Sequence, residues 1–361
     1  MFSRKIDDEL SLALPQISFQ KDYFRIIDSQ RPYFGEWLSW VASYTEENSH
    51  SFASRSLHGY ADGKQMNCTI IYHGEVVGNV SFNTINHDLK KVEIGYWLSQ
   101  DYQGKGIMTR AVKAMLKIAK DELGMQVATI QASEGNLPSR AIPERLGFSF
   151  DGTIKNAVLV NGKIFNHAIY SLDLINHARN EKNKMFSRKI DDDLSLALVS
   201  PSFAKDYWRI VSQQKTYLGQ WLPWVAEMDG EKPFVDFAKA MLHKYADGEN
   251  LTCAIFYQGE LVVNISFNTI DHELKKVQIG YWLSQDYQGK GIMTRAVSAM
   301  LKIAKENYAI QIADIRAAID NLSSRAVPER LGFSFDGIIK NGELVDGRIL
   351  DHAVYTLKLG D

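Results

Sequence analysis

Cysteine is almost missing from these 361 residues; the only two are Cys68 and Cys253. Each lies in an apolar run, Cys-Thr-Ile-Ile-Tyr and Cys-Ala-Ile-Phe-Tyr, at matching places of an internal repeat. They are expected as buried strand thiols rather than as a disulfide or a metal pair. No His, Cys, Asp and Glu spacing matches a metal site, so no metal is expected. No apolar run approaches the roughly 18 to 20 residues of a membrane span. The opening Met1-Phe-Ser-Arg-Lys-Ile-Asp-Asp8 lacks the apolar centre of a signal peptide. The expectation is a cytoplasmic chain with no membrane role. An excess of one charge is lacking too. With 41 Lys and Arg against 43 Asp and Glu, the formal net charge of −2 argues against a general nucleic-acid surface, and no nucleic-acid partner is expected.

What is present, with 45% hydrophobic and 23% charged residues, is a globular composition long enough for two domains. The chain also repeats itself. Met1 to Asp8 returns as Met185 to Asp192, and the match continues to Tyr170/Tyr355. This is a whole-domain duplication. The expected division is residues 1–174, a polar linker at 175–184, and residues 185–361. The repeat contains Gly95-Tyr-Trp-Leu-Ser-Gln-Asp-Tyr-Gln-Gly-Lys-Gly-Ile-Met-Thr-Arg-Ala-Val112, which recurs letter for letter from Gly280 to Val297.

That stretch reads as a strand, a glycine-rich turn and a helix whose apolar residues begin at Met108 and recur at helical spacing. A helix N-terminus offers unpaired N–H groups and partial positive charge, and glycines let an anion approach the backbone. A phosphate-binding turn is expected. Around it, copy one reads as a strand at 10–14 and a helix at 18–30 capped by Ser18. Helical segments holding Trp37 and Trp40 and spanning 50–60 follow. A hairpin spans 67–83, strands lie at 92–99 and 127–132, a helix at 136–146, and two strands close the copy. Strands in antiparallel succession followed by strand–helix–strand predict an α/β fold. Each copy is expected as a mixed, mostly antiparallel sheet flanked by helices.

Gln103-Gly104-Lys105-Gly106-Ile107-Met108, with Asn136-Leu-Pro-Ser139 and Gly147-Phe148 about thirty residues on, resembles the acyl-CoA loop and following helix of the GNAT N-acetyltransferases. Gly-Tyr-Trp-Leu, Tyr-Gln-Gly-Lys-Gly-Ile-Met-Thr and Ser-Arg-Ala-Ile-Pro-Glu-Arg-Leu-Gly-Phe are similar to the RimJ/RimL branch of that family and its YdaF-like relatives. Met108 departs from the small residue usual at the loop's end. The resemblance covers both copies nearly end to end and implies two tandem GNAT (acyl-CoA N-acyltransferase) domains.

The resemblance implies acetyl-CoA as cofactor and direct acetyl transfer to an amine. Backbone amides of Gly104, Lys105, Gly106, Ile107, Met108 and Thr109 would hold the pyrophosphate, next to Gln103. In copy two these are Gly289, Lys290, Gly291, Ile292, Met293 and Thr294, next to Gln288. The Leu98 and Leu283 amides would face the thioester carbonyl, and Asn136 and Asn321 the pantetheine arm. The tyrosine that many members use as the acid is replaced by Pro143 and Pro328, so Ser139 and Ser324 become the candidate acids. Glu93 is the candidate base, and copy two has Gln278 there, which cannot take a proton. Asp351, where copy one has Asn166, could replace that carboxylate. Trp37, Trp40, Trp221 and Trp224, spaced three apart, would share a helix face walling the acceptor pocket. The branch implies a protein α-amine, such as that of a ribosomal protein, as acceptor, and an intramolecular pseudo-dimer in place of a homodimer. The rival readings are acetylation of a small amine, such as an antibiotic or polyamine, and a non-enzymatic acyl-CoA-binding regulator with a degenerate second domain.

Overall fold

The structure is a computed structural model and describes residues 2–175 and 186–360. It divides into two compact units, Met1–Phe186 and Ser187–Asp361. The proposed linker lies, apart from Ile175, outside the described residues. Among the described residues no helix is long and apolar enough to cross a membrane.

Unit one runs β1 (Ser3–Lys5), β2 (Leu10–Ala13), α1 (Gln20–Ser29), α2 (Arg31–Gly35), α3 (Glu46–Ala61), β3 (Met66–Tyr72), β4 (Glu75–Asn86), β5 (Lys91–Leu98), α4 (Ile107–Asp121), β6 (Val127–Ser133), α5 (Leu137–Arg145), β7 (Ser149–Val160) and β8 (Lys163–Asp173). Its strands lie in the order β1-β2-β3-β4-β5-β6-β8-β7. Only β5 and β6 pair in parallel; the other neighbours are antiparallel. Unit two repeats the pattern. It comprises β9 (Ser187–Lys189), β10 (Leu194–Leu198), α6 (Ala204–Gln213), α7 (Lys215–Leu218), α8 (Lys232–Ala246), β11 (Leu251–Tyr257), β12 (Glu260–Asp271), β13 (Lys276–Leu283), α9 (Ile292–Tyr308), β14 (Ile312–Ala318), α10 (Leu322–Arg330), β15 (Ser334–Val345) and β16 (Arg348–Lys358).

The feature that makes a site is where the parallel pair stops. β5 and β6 pair only from Lys91↔Val127 to Ile94↔Ile130. β5 nevertheless continues to Leu98 against β4. From Gly95 onward the β5 edge facing β6 therefore has no strand partner, and backbone groups there are open to a ligand. In unit two the parting follows Ile279↔Ile315, while β13 stays paired to β12 as far as Leu283↔Val263.

Helix α4 buries Ile107, Met108, Ala111, Val112, Met115, Leu116, Ile118 and Ala119, the stripe expected from the sequence. Cys68 and Cys253 are fully buried in β3 and β11. Two local readings are corrected. Ser18 is not a helix cap: Ile17–Phe19 forms a 3-10 turn, and α1 starts at Gln20 behind Phe19 with no side-chain cap. The tryptophans do not share a helix face. Leu38 is extended (φ −113°, ψ 105°) and separates Trp37 from the 3-10 turn Ser39–Ser43 that carries Trp40. In unit two, Pro223 disfavours helical geometry at Leu222, with the same result.

The first turn of α4 is tied back to the sheet. Arg110 donates to Asp7 at 2.8 Å and to Glu9 at 3.1 Å. Burial raises the Asp7 pKa. The Glu9 and Leu10 amides and Arg110 outweigh it and hold the carboxyl below its ordinary value. Asp191, with Arg295, is lowered in the same way. A lowered carboxylate stabilises the fold above its unfolded pKa of about 3.9, and the gain is lost as pH falls through the folded value. Arg110→Ala and Arg295→Ala are expected to lower the urea midpoint at pH 7, with the gap to wild type closing below pH 3. Urea unfolding at the two pH values checks this; a gap that stays constant would contradict it.

Candidate functional site

The glycine loop arrives left-handed. Gly104 has φ 74° and Gly106 φ 67°, and Gly289 and Gly291 repeat this at 73° and 68°. A side chain at any of the four would meet no atom within 4 Å. The space beside the loop is thus open, and a side chain there would fill it while straining the backbone. Gly106 N-caps α4, and the first intrahelical bond at this end is Arg110 N–H to Gly106 C=O at 3.1 Å. The amides of Ile107, Met108 and Thr109 are left for a ligand. Arg145 donates to Thr109 Oγ1 and Arg330 to Thr294 Oγ1, each at 3.1 Å. Lys105 and Lys290 lie over the rings of Tyr102 and Tyr287 at 4.8 and 4.9 Å. The open cradle, free amides and nearby cations fit a pyrophosphate. Gln103 and Gln288 bond the hydroxyls of Tyr33 and Tyr217, which pins the loop to the helix before it.

Unit two shows what the cradle opens into. A cavity of about 780 Å³ is lined by Gln288 to Arg295, Leu283, Asn321, Ser324 and Arg330. A second, of about 650 Å³, is lined by Trp221, Trp224, Phe234, Asn264, Gln278, Arg316, Glu343 and His352, among others. Trp221, Leu222, Tyr281, Trp282, Asn321 and Ser324 line both. Leu283 lies on the first cavity. Its partner across the ladder, Val263, stands at φ 132° where copy one has Gly78. A β-branched residue there stores strain of about 1–3 kcal/mol beside the cleft.

Ser324 is held firmly at the junction. The Asn321 side chain accepts from Ser324 N–H at 3.1 Å, and Tyr281 donates its hydroxyl to Ser324 C=O at 2.8 Å. Copy one matches, with Asn136 to Ser139 at 3.2 Å and Tyr96 to Ser139 at 2.9 Å. The asparagine oxygen is therefore used as a helix cap, which leaves its NH2 for a ligand. Burial pushes the Tyr96 and Tyr281 phenols up, so both stay protonated donors. Tyr96→Phe and Tyr281→Phe are expected to lower turnover about tenfold by loosening the serine, with acetyl-CoA affinity unchanged. Steady-state kinetics beside calorimetry tests the split.

The two copies place their carboxylates differently. Glu93 is half-buried on β5, and its charge acts on His167. Burial is the larger influence on that histidine and lowers its pKa. In copy two, Gln278 stands in place of Glu93, and the histidine, His352, meets Glu343 instead, at 3.5 Å. Copy one has Val158 opposite Glu343. Asp351 is not the replacement: it ion-pairs with Lys340 at 2.7 Å and accepts the Asn341 amide at 2.9 Å. It lies on the hairpin and is absent from the walls of both cavities. Glu343, His352, Tyr281 and Arg330 were not singled out in the sequence. Only Arg330 and Tyr281 had a local signal, their places inside the recurring motifs.

The tryptophans diverge. Trp221 lines both cavities, and Trp224 packs on Trp282 at 5.3 Å and lines the second. In copy one Trp37 packs on Phe165 at 5.6 Å, while Trp40 packs on Tyr44 and is 38% exposed.

The Acetyltransferase (GNAT) domain profile matches residues 14–149 and 194–334. The chain belongs to the GNAT acetyltransferase family. It is an acetyl-CoA-dependent N-acetyltransferase with two tandem copies of the domain. YdaF of Bacillus subtilis (strain 168), described as a ribosomal N-acetyltransferase, is 32% identical over 178 residues, 48% of this chain and 95% of YdaF. The ribosomal-protein-serine acetyltransferase of Escherichia coli (strain K12) is 28% identical over 167 residues, 46% of this chain and 93% of the relative. Among solved structures, RimL, the ribosomal L7/L12 alpha-N-protein acetyltransferase in complex with coenzyme A, is 26% identical at a TM-score of 0.46. It aligns with 48% of this chain and 97% of its own.

Proposed function

We propose that the domains of this GNAT acetyltransferase act on a protein N-terminal α-amine, with a ribosomal protein as the first candidate. The supporting observation is that Ser324 and Asn321 stand where the loop cavity meets the aromatic second cavity. Such a junction puts a serine hydroxyl between an acyl donor and an acceptor.

Bound acetyl-CoA supplies the activated acetyl thioester. The loop amides and Arg330 hold its pyrophosphate. The NH2 of Asn321 and the open β13 edge beyond Ile279 would hold the pantetheine arm, and the Leu283 amide would be available to polarise the thioester carbonyl. The second cavity takes the amine, with Trp221 and Trp224 as its walls. In domain 2 the Glu343–His352 pair takes the amine's proton, Ser324 gives its hydroxyl proton to the departing thiolate, and the proton on the pair restores the serine. In domain 1 Glu93, with His167, and Ser139 fill those places. The test is thiol release from acetyl-CoA with N-terminal peptides, including ribosomal-protein N-termini. Release with peptides bearing a free N-terminus, and none with acetylated controls, is expected; release only with side-chain or small amines would overturn the α-amine reading.

The duplication also supports the proposal that the two domains serve as an intramolecular pseudo-dimer. A monomeric chain in sedimentation is the expected result, and a stable dimer of chains speaks against it.

A further inference from the structure

We propose that domain 2 selects amines carrying an anionic group, a carboxylate or phosphate, held by Arg316. This rests on the acetyl-transfer reading above. Arg316 is exposed on β14, one residue past the last parallel bridge at Ile279↔Ile315, and lines the second cavity beside Gln278 and His352. Copy one has Gln131 there, so the cation is particular to domain 2. The nearby carboxylates are already engaged. Asp314 pairs with Lys276 at 2.5 Å, Asp351 with Lys340 at 2.7 Å and Glu343 with His352 at 3.5 Å. Among the described residues Arg316 makes no salt bridge, and a guanidinium left so on the wall of an aromatic cavity is a ready partner for a planar or tetrahedral anion, which it can grip with two N–H groups. The apolar walls lower the local dielectric and strengthen that attraction.

A second observation points to a ligand in the same cavity. Among the described residues, Tyr207 Oη and Asn264 Oδ1 are buried with no hydrogen-bond partner. Both residues line this cavity. The contrast with copy one is specific. There Tyr23 shares a hydrogen bond with Thr69 at 2.7 Å and receives Asn79 at 3.5 Å. Ala254 replaces Thr69 in copy two, so the Tyr207 hydroxyl is released. Burial pushes its pKa up, so it stays a donor. Leaving such atoms unpaired is costly, and a polar ligand would recover that cost. Domain 2 thus carries a cation that copy one lacks and a hydroxyl donor that copy one satisfies internally, beside an unpaired amide oxygen. Its acceptor is polar and anionic, and the two domains differ in acceptor choice.

The test uses the full chain, acetyl-CoA and matched acceptor pairs in a thiol-release assay: the peptides Ser-Glu-Ala-Ala and Ser-Gln-Ala-Ala, and phosphoethanolamine with ethanolamine. The expected kcat/KM is tenfold or more higher for the anionic member of at least one pair, with Arg316→Gln bringing that ratio close to one. A preference confined to the peptides assigns the anion to a protein N-terminus, and one confined to phosphoethanolamine assigns it to a small molecule. Equal rates within both pairs, or a ratio that Arg316→Gln does not move, overturns the assignment and leaves acetyl transfer standing. Thiol release with none of the acceptors counts against acetyl transfer instead. Calorimetric binding of phosphoethanolamine to the CoA-saturated chain, abolished by Arg316→Gln, would then uphold the anion site, and no binding would overturn it.

Discussion

Glu343→Gln is expected to cut the turnover of domain 2 by a hundredfold or more, the usual scale for losing a positioned proton acceptor. The carboxylate faces His352 at 3.5 Å on the wall of the cavity that also holds Ser324. Glutamine keeps the shape but can neither accept the amine's proton nor support a charged imidazole. The measurement is made in a Glu93→Gln, Ser139→Ala background, so that domain 1 does not mask the loss. The reciprocal chain, Glu343→Gln with Ser324→Ala, leaves domain 1 to be read alone through Glu93. If Glu343→Gln leaves the rate untouched while Gln278→Glu raises it, the proton acceptor of domain 2 belongs on β13 and the Glu343 assignment is wrong.

The second large effect is on acetyl-CoA binding. Gly291→Val puts a β-branched side chain at φ 68° and into the open space beside the loop. The left-handed conformation costs roughly 1–2 kcal/mol per non-glycine residue. Each amide bond to a charged group that is lost adds about 1.5–3 kcal/mol. Together these predict a loss in affinity on the order of a hundredfold to a thousandfold at about 1.4 kcal/mol per decade. Gly106→Val should do the same in domain 1. Calorimetry should therefore find two acetyl-CoA sites per chain in the wild type and one in each single variant, with unchanged circular dichroism. Two undisturbed sites in either variant would remove the loop from cofactor binding.

Much of the cofactor side was legible because its chemistry is local in the chain. Gln103 to Thr109 is one continuous turn into a helix, and Asn136 and Ser139 are one helical turn apart. Glycine placement and capping follow from neighbouring residues, so the motifs announce their geometry. The acceptor side was legible only in part: Trp221 and Trp224 do line the second cavity, while Glu343 and His352 had no sequence signal. Glu343 and His352 lie on two strands of one hairpin whose register skips residues between Ile339 and Glu343, and no spacing rule brings them together. Asp351, one residue from His352, looked like the spare carboxylate, but strand alternation sends it to Lys340 instead. The tryptophan pairs misled for a local reason: α2 ends at Gly35, before Trp37, and an extended leucine then separates the two rings, so no helix face is shared.

The sequence alone determined the duplication, the family resemblance, the identical glycine loop in both halves and the divergence at Glu93 against Gln278. Tertiary structure decided that Glu343 meets His352, that Ser324 stands on two adjoining cavities, and which buried polar groups are left without partners. The physical reason is reach. A helix N-terminus and its glycines act through backbone atoms a few residues apart, whereas an acceptor cavity is assembled from side chains on strands and turns remote in sequence. The parting of β13 from β14 and the β15–β16 hairpin set those side chains around one space.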